Sequence, residues 1–246
     1  KSINEEIGQL VSELNRIGDT TTFNSKKILN GDFIQNFLHV GAASRETIDV
    51  TISDARASAL GRTALVRTDT VSTNALSKAG GSVLINGITV RNTTTSDDLV
   101  STSFAIGSAI AKAAAINDAS EHSNVVARVN STLVENNANI TAGTLDENSH
   151  IEINGSIITG FRVTTDDSNG ELATQINAHS GSTGVVASYD ENFRIVLTAV
   201  DGRNIEVKAS DANATTITGL STGVDTATID FESEEAFDVT GANLGF

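Results

Sequence analysis

An internal repeat constrains the fold of this chain more than any other feature. The first copy begins at residues 83–90 with Val-Leu-Ile-Asn-Gly-Ile-Thr-Val, and the second begins at residues 151–158 with Ile-Glu-Ile-Asn-Gly-Ser-Ile-Ile. Each string leads through a polar stretch with two Asp residues, at 97–98 and 166–167, into a helical segment containing Ile-Asn and then a Val-Val strand. Each copy therefore predicts a strand, an Asn-Gly turn, a second strand, a short helix and a third strand.

The second copy continues further than the first. Its β-branched runs at 193–198 and 205–207 flank Asp201 and Gly202, a pattern that predicts a hairpin with an Asp-Gly turn. The first copy is expected to have lost this hairpin to the polar stretch at 136–139. After residue 210 the sequence predicts one strand at 227–231 and no regular element in the last ten residues.

The chain begins with an amphipathic helix. Its apolar residues recur every three or four positions and form one stripe, made of Ile3, Ile7, Leu10, Leu14 and Ile17 and widened by Val11. Ser2 and Glu5 predict a capping box at its start, and Gly18 predicts its end. A helix with one apolar stripe needs a partner helix to be stable, either within this chain or outside it.

Residues 20–60 are predicted to leave this helix through irregular structure. An Asn-Gly turn at Asn30 and Gly31 precedes two short strands, 37–41 and 46–52, which the link 42–45 joins as a hairpin. Residues 53–79 show weak periodicity and are interpreted as a connector, and Gly80 and Gly81 mark a change of composition.

Composition excludes several classes of function. The formal net charge of −15 opposes binding to nucleic acids and to anionic membrane surfaces. The chain has no Cys, and therefore neither disulfides nor thiolate metal ligands. No run of 18 apolar residues is present, so no membrane span is predicted.

No catalytic, cofactor or metal site is predicted, and an enzyme is the least favoured class. The four histidines, His39, His122, His150 and His179, do not have the spacing of a zinc motif. No nucleophile elbow is present in the sequence. Paired carboxylates for glycoside hydrolysis stay open, because no pair stands out from the general acidity. The acidic clusters at 97–98, 146–147, 166–167 and 232–235 are interpreted as helix caps or solvated loops. A calcium loop at 166–171 is the alternative, but that segment lacks the alternating oxygen ligands.

Several strings resemble bacterial flagellin. They are Ser-Ile-Asn-Glu-Glu-Ile at 2–7, Leu-Asn-Arg-Ile at 14–17, Thr-Phe-Asn at 22–24, Ile-Leu-Asn-Gly at 28–31, Val-Gly-Ala at 40–42 and Glu-Thr-Ile at 46–48. The Ile-Asn-Gly repeats are similar to modules inserted in the variable region of flagellins, although filament-cap proteins carry them too.

The resemblance implies an α+β fold. It has a short helical core stub with a hairpin, followed by β-rich outer domains that come from the repeat, each with a short helix. The expected domains are 1–60, part of the helical core with its hairpin; 61–80, a connector; 81–145 and 146–210, the first and second Ile-Asn-Gly modules; and 211–246, an irregular return segment towards the core.

The function implied by the resemblance is that of a structural subunit of the flagellar filament, secreted and extracellular, which serves motility. Its partners would be other flagellin subunits, held through terminal helices that this sequence lacks, so the fragment itself is expected to stay soluble without forming filaments. The alternatives are a flagellin-like adhesin or glycan-binding protein, and a filament-cap protein. O-linked glycans on surface Ser and Thr are a further implied partner.

A site is implied for one more partner. By resemblance, Glu13 and Arg16, in the string 13–16, would contact the innate immune receptor that senses flagellin; the alternative is a solvated helix face. Because most of the family's receptor-binding helix lies upstream of Lys1, this fragment is expected to bind the receptor weakly or not at all. Nanomolar binding would contradict that expectation.

Overall fold

The computed structural model describes residues 2–33, 36–39, 47–50, 52, 54–57, 59–60, 63–78, 82–136, 138–241 and 244. The predicted link 42–45, the glycines at 80–81 and the capping side chain of Ser2 lie outside this description. The chain forms two compact units, Lys1–Thr63 and Ala64–Phe246. The α+β fold class is confirmed, because helices alternate with antiparallel strands in several small sheets.

The described residues of the first unit form one long helix and two small antiparallel strand pairs. Its elements are α1 (Ser2–Thr20), β1 (Thr22–Phe23), β2 (Lys26–Lys27), β3 (Asn36–His39) and β4 (Thr47–Val50). β1 pairs with β2, and β3 pairs with β4, both antiparallel, so the predicted pairing of the second hairpin is confirmed.

The predicted end of α1 at Gly18 is wrong. The Thr21 N–H still donates to the Ile17 carbonyl at 3.0 Å, and the Thr20 hydroxyl donates to the Arg16 carbonyl at 2.6 Å, so helical bonding continues past the glycine. Gly18 instead allows close packing, because a Cβ there would lie 2.6 Å from Cγ of Arg56.

The second unit holds five short helices and fifteen strands among its described residues. The helices are α2 (Ala109–Asn117), α3 (Ser120–Ser123), α4 (Glu171–Ala178), α5 (Ser180–Thr183) and α6 (Ala212–Thr218). The strands are β5 (Ala64–Arg67), β6 (Leu84–Ile85), β7 (Ile88–Thr89), β8 (Val126–Val129), β9 (Thr132–Glu135), β10 (Gly143–Leu145), β11 (Ile151–Ile153), β12 (Ser156–Ile158), β13 (Phe161–Val163), β14 (Val186–Tyr189), β15 (Ile195–Ala199), β16 (Ile205–Ala209), β17 (Gly223–Asp225), β18 (Ile229–Ser233) and β19 (Val239–Thr240).

The second repeat copy contributes to two main sheets, with strand orders β12-β11-β16-β17 and β14-β15-β9, and β10 pairs with β13. The predicted hairpin at Asp201 and Gly202 is therefore wrong, because β15 and β16 belong to different sheets. The Asp-Gly turn carries the chain from one sheet to the other, and residues such as Ile195 and Ile205 are buried in one core between them.

The first copy has the same two-sheet plan, but a distant segment completes it. β18 lies between β5 and β8, and β19 pairs with β6 beside β7. These two strands take the places that β15 and β16 take in the second copy. The expectation that the first copy lost these strands is therefore wrong: residues 229–240 supply them, and the second copy is inserted between β8 and β18.

Matching hydrogen bonds support this correspondence. Asn86 exchanges two bonds with the backbone of Asp238, and its Nδ2 donates to the Ser123 carbonyl. Asn154 exchanges the same two bonds with Glu206, and its Nδ2 donates to the Thr183 carbonyl. The Asn-Gly turn of each copy thus contacts equivalent strands and equivalent helix ends.

Segments that the sequence described as irregular are structured. β5 lies in the expected connector, and α6, β17 and β19 lie after residue 210, where no element was predicted. β18 confirms the strand predicted at 227–231. The expected domain boundaries stay a prediction. The cores of the two copies are aliphatic, with Phe231 fully buried in the first. Lys112 of α2 is also fully buried.

Candidate assembly surface

The apolar stripe of α1 is exposed. Ile7, Leu10, Val11, Leu14 and Ile17 retain between 41% and 63% of their accessible surface. A fully buried aliphatic side chain contributes about 1.5–3 kcal/mol, so a row of such residues left in water forgoes a large stabilisation. This helix face is built to be covered by another apolar surface.

The C-terminal end of the helix is firmly anchored within its own unit. Gly18 is buried against Arg56, and the Asn15 Oδ1 accepts the Ala57 N–H at 2.9 Å. These contacts fix the helix end to residues 54–57 and hold the stripe on a defined support.

Arg56 joins three segments of this anchor. Its guanidinium forms hydrogen bonds to both carboxylate oxygens of Asp54, donates to the Asn30 carbonyl at 2.9 Å, and lies 3.4 Å from the carboxylate of Asp19. The hydrogen bonds from Arg56 lower the pKa of Asp54. The Asn-Gly turn, with Gly31 at a φ of +83°, brings Asn30 within reach.

Glu13 and Arg16 form an exposed ion pair beside the stripe. The Arg16 Nη2 and Nε donate to the two Glu13 carboxylate oxygens at 2.6 and 2.8 Å. The hydrogen bond from Arg16 lowers the pKa of Glu13. Exposed pairs of this kind add little to stability, so both side chains remain available at the surface.

The described residues contain no group of three or more His, Cys, Asp or Glu side chains able to hold a metal ion. The segment considered as a calcium loop is a helix cap. The carboxylate of Asp167 accepts the N–H groups of Leu172 and Ala173 and the hydroxyl of Tyr189. Burial, together with that bond, raises the pKa of Tyr189.

The histidines with described side chains lie apart from one another. His150 Nδ1 is 3.1 Å from the Glu147 carbonyl, His179 Nδ1 is 2.9 Å from the Gln175 carbonyl, and His122 is exposed. Within the described ranges, no helix has the length and apolar character needed to cross a bilayer.

A surface hollow of about 590 Å³ lies beside the end of α6. It is lined by small polar and aliphatic residues, and several of its hydroxyls donate internally: Thr141 to the Thr216 carbonyl, and Thr215 and Thr216 to the Ala212 carbonyl. Its lining has no aromatic side chain on which a sugar ring could stack.

Comparison with known proteins agrees with the repeat. The family profile described as the flagellin hook IN motif matches residues 151–201, the greater part of the second copy. Flagellin A of Helicobacter felis is 30% identical over 235 residues, which is 92% of this chain and 43% of that protein. Flagellin A of Helicobacter pylori is 28% identical over 222 residues, or 87% of this chain and 40% of that protein. The B-type flagellin of Pseudomonas aeruginosa is 27% identical over 214 residues, which is 87% of this chain and 42% of that protein.

The folded units and the matched motif define a modular protein in which one IN motif, and a first copy with the same strand plan, accompany a helix with an exposed apolar stripe. Over most of its length the chain is similar to these flagellins. It spans about two fifths of the length of these relatives.

Proposed function

We propose that the protein is a structural subunit of the bacterial flagellar filament, with neighbouring flagellin subunits as its partners. The exposed apolar stripe of α1 carries this proposal. It is anchored at one end by Gly18 and Arg56, and it presents five aliphatic side chains that need a partner surface. Subunits packed side by side would bury these side chains against one another.

The second unit serves as the outward-facing part in this proposal. Its apolar residues are largely enclosed in two cores, and the chain as a whole is strongly acidic. Net charge of one sign keeps surfaces soluble at high local density. The protein acts outside the cell, as secreted filament material, and not as an enzyme.

Two added charges on the stripe test the proposal. In the complete gene of the source bacterium, Leu10→Glu with Leu14→Glu should abolish filaments seen by electron microscopy, because buried unpaired carboxylates are costly. The matched control places the same two charges on the polar face of the helix, as Gln9→Glu with Ser12→Glu, and should leave filaments intact. Normal filaments from the Leu10 and Leu14 variant would refute the proposal.

We also propose that Glu13 and Arg16 contribute to a contact with the innate immune receptor for flagellin. Their exposure, and the small structural value of their ion pair, support this. Reversing both charges in the complete protein, with Glu13→Arg and Arg16→Glu, should weaken receptor binding while conserving the pair. Asp146→Arg in the second unit is the control. Unchanged binding of the reversed pair would remove these residues from the contact.

Exposed Ser and Thr of the second unit are proposed to carry O-linked glycans. The observation behind this is the abundance of hydroxyl side chains outside the two cores. The intact mass of protein taken from native filaments would exceed the sequence mass by sugar increments. A mass equal to the sequence mass would exclude this modification.

A further inference from the structure

The two repeat copies meet where a loop of the first contacts a turn of the second. The backbone N–H of Asn204, which follows β15 and its turn, donates to the Ser101 Oγ at 2.9 Å. The Asn204 Nδ2 donates to the Ser103 carbonyl at 2.9 Å. Asn204 retains only 1% of its accessible surface, so this junction is closed to solvent.

Asp98 lies at the base of the same loop and is 3% exposed. Its Oδ1 accepts the N–H groups of Val100 and Ser101 at 2.9 and 3.0 Å. Asp98 and Asn204 are thus both bonded to Ser101, one to its N–H and the other to its hydroxyl.

Each of these two side chains keeps an enclosed oxygen without a hydrogen-bond partner among the described residues. They are Asp98 Oδ2 and Asn204 Oδ1. The orientation of the Asn204 amide is fixed, because its nitrogen faces the carbonyls of Ser103 and Phe104. Two acceptors are thus enclosed at one junction, and one of them belongs to a carboxylate, so a bound cation or a hydrogen-bond donor would satisfy them.

The carboxylate of Asp98 is in its charged form. Burial raises the pKa of Asp98, but the nearby Ser101 and Ser108 and the backbone bonds from Ser101 and Val100 more than offset it, so the pKa lies below its ordinary value. Neither serine hydroxyl has hydrogen-bond geometry with Oδ2. A charged, enclosed oxygen is therefore available as a ligand.

We propose that Asp98 Oδ2 and Asn204 Oδ1 bind a monovalent alkali cation, represented by Na⁺, at the junction of the two modules. Oxygen-only ligands suit a hard cation. A single carboxylate balances a single positive charge, and the field of the Arg203 guanidinium already acts on Asp98. A divalent ion would leave uncompensated positive charge in an enclosed place, where charge is costly.

The bound cation would join the loop that follows Asp98 to the turn that holds Asn204, and so stabilise the packing of one module on the other. Thermal unfolding of this chain tests the proposal, in NaCl and in tetramethylammonium chloride at equal ionic strength. The organic cation screens charge equally but is too large for the site. We expect a Tm about 2–4 °C higher in NaCl, which is the shift for a domain of this length when Na⁺ is present at a few times its Kd.

Two variants locate the effect. Asp98→Asn should abolish the difference between the two salts. Asp146→Asn is the matched control, because the Oδ1 of Asp146 accepts the N–H groups of the residues two and three positions later, as Asp98 does, but Asp146 is exposed. This control should keep the difference.

Hydrogen exchange of the Ser101 and Phe104 amides in the unmodified chain provides a second measurement, should Asp98→Asn fail to fold. We expect slower exchange in NaCl than in tetramethylammonium chloride. Equal Tm and equal exchange in the two salts would overturn the proposal and assign these oxygens to ordinary water. Retention of the Tm difference in folded Asp98→Asn, or stabilisation by Ca²⁺ alone, would overturn it as well.

Discussion

Asn177 brackets Ala187 with two hydrogen bonds. Its Nδ2 donates to the Ala187 carbonyl at 3.1 Å, and its Oδ1 accepts the Ala187 N–H at 2.7 Å. Asn117 makes the same pair with Ala127 in the first copy. Each asparagine lies in the last turn of a helix and satisfies the open side of an edge strand, so the repeat has kept its polar contacts as well as its hydrophobic pattern.

Asn177→Ala should lower the free energy of unfolding by about 2–3 kcal/mol, because both backbone groups of the buried Ala187 lose their partner. Urea denaturation followed by circular dichroism measures this. Asn192→Ala, in an exposed turn, should change stability by less than about 0.5 kcal/mol. Equal effects of the two substitutions would contradict the structural role of Asn177.

Gly202→Ala should destabilise the second unit by about 2–4 kcal/mol. Gly202 has a φ of +76°, and a Cβ there would lie 2.4 Å from Val129 Cγ1 and 2.8 Å from the Asn130 carbonyl oxygen. Gly155→Ala is the control for backbone strain without crowding, because Gly155 has a φ of +84° and open space around it. This substitution should cost about 1 kcal/mol. Chemical denaturation of both variants checks this order, and equal costs would show that the turn does not press against Val129.

Lys112 should make stability rise with pH. Burial lowers its pKa from 10.5 to about 8, so the unfolded chain binds more protons between those values. Stability therefore increases as pH rises through this window, by up to about 3 kcal/mol. Lys112→Met should remove that gain. Because all other titrating groups are the same in the two proteins, the difference between their pH profiles reports Lys112 alone. Parallel pH profiles of unfolding for the two proteins would refute the prediction.

Asp97 should contribute stability that acid removes. Hydrogen bonding from Arg91 lowers its pKa to about 2, below the unfolded value, so the contribution is complete above about pH 4 and disappears as pH falls to about 2. Asp97→Asn should cost about 1–2 kcal/mol at neutral pH, a value reduced for the partial exposure of Arg91. Asp118→Asn removes the more exposed partner of the same arginine and should cost less. A cost for Asp97→Asn that persists at pH 2 would contradict this account.

Local elements could be predicted from the sequence. The period of Ile7, Leu10, Leu14 and Ile17 predicted α1, and the Asn-Gly pairs predicted turns in which Asn86 and Asn154 adopt positive φ. The need of the α1 stripe for a partner could also be anticipated, but the sequence did not decide whether that partner lies within the chain or outside it.

Partners distant in sequence could not be predicted. β18 pairs with β5 and β8, both of which lie about a hundred or more residues earlier, and alternation along a strand states which face is apolar but not which strand is its neighbour. The hairpin predicted at Asp201 and Gly202 was wrong for the same reason. These residues do form a turn, but the strands on either side of it, β15 and β16, pair with other strands. Asp98 resembled other acidic loop residues, and only the fold shows its burial.

A cryo-electron microscopy map of the native filament would show whether the α1 stripe is the assembly surface. We predict that this chain forms the filament, with Ile7, Leu10, Leu14 and Ile17 buried against neighbouring helices and the two repeat copies on the outer surface. A filament in which the α1 stripe faces solvent, or one that does not contain this chain, would contradict it.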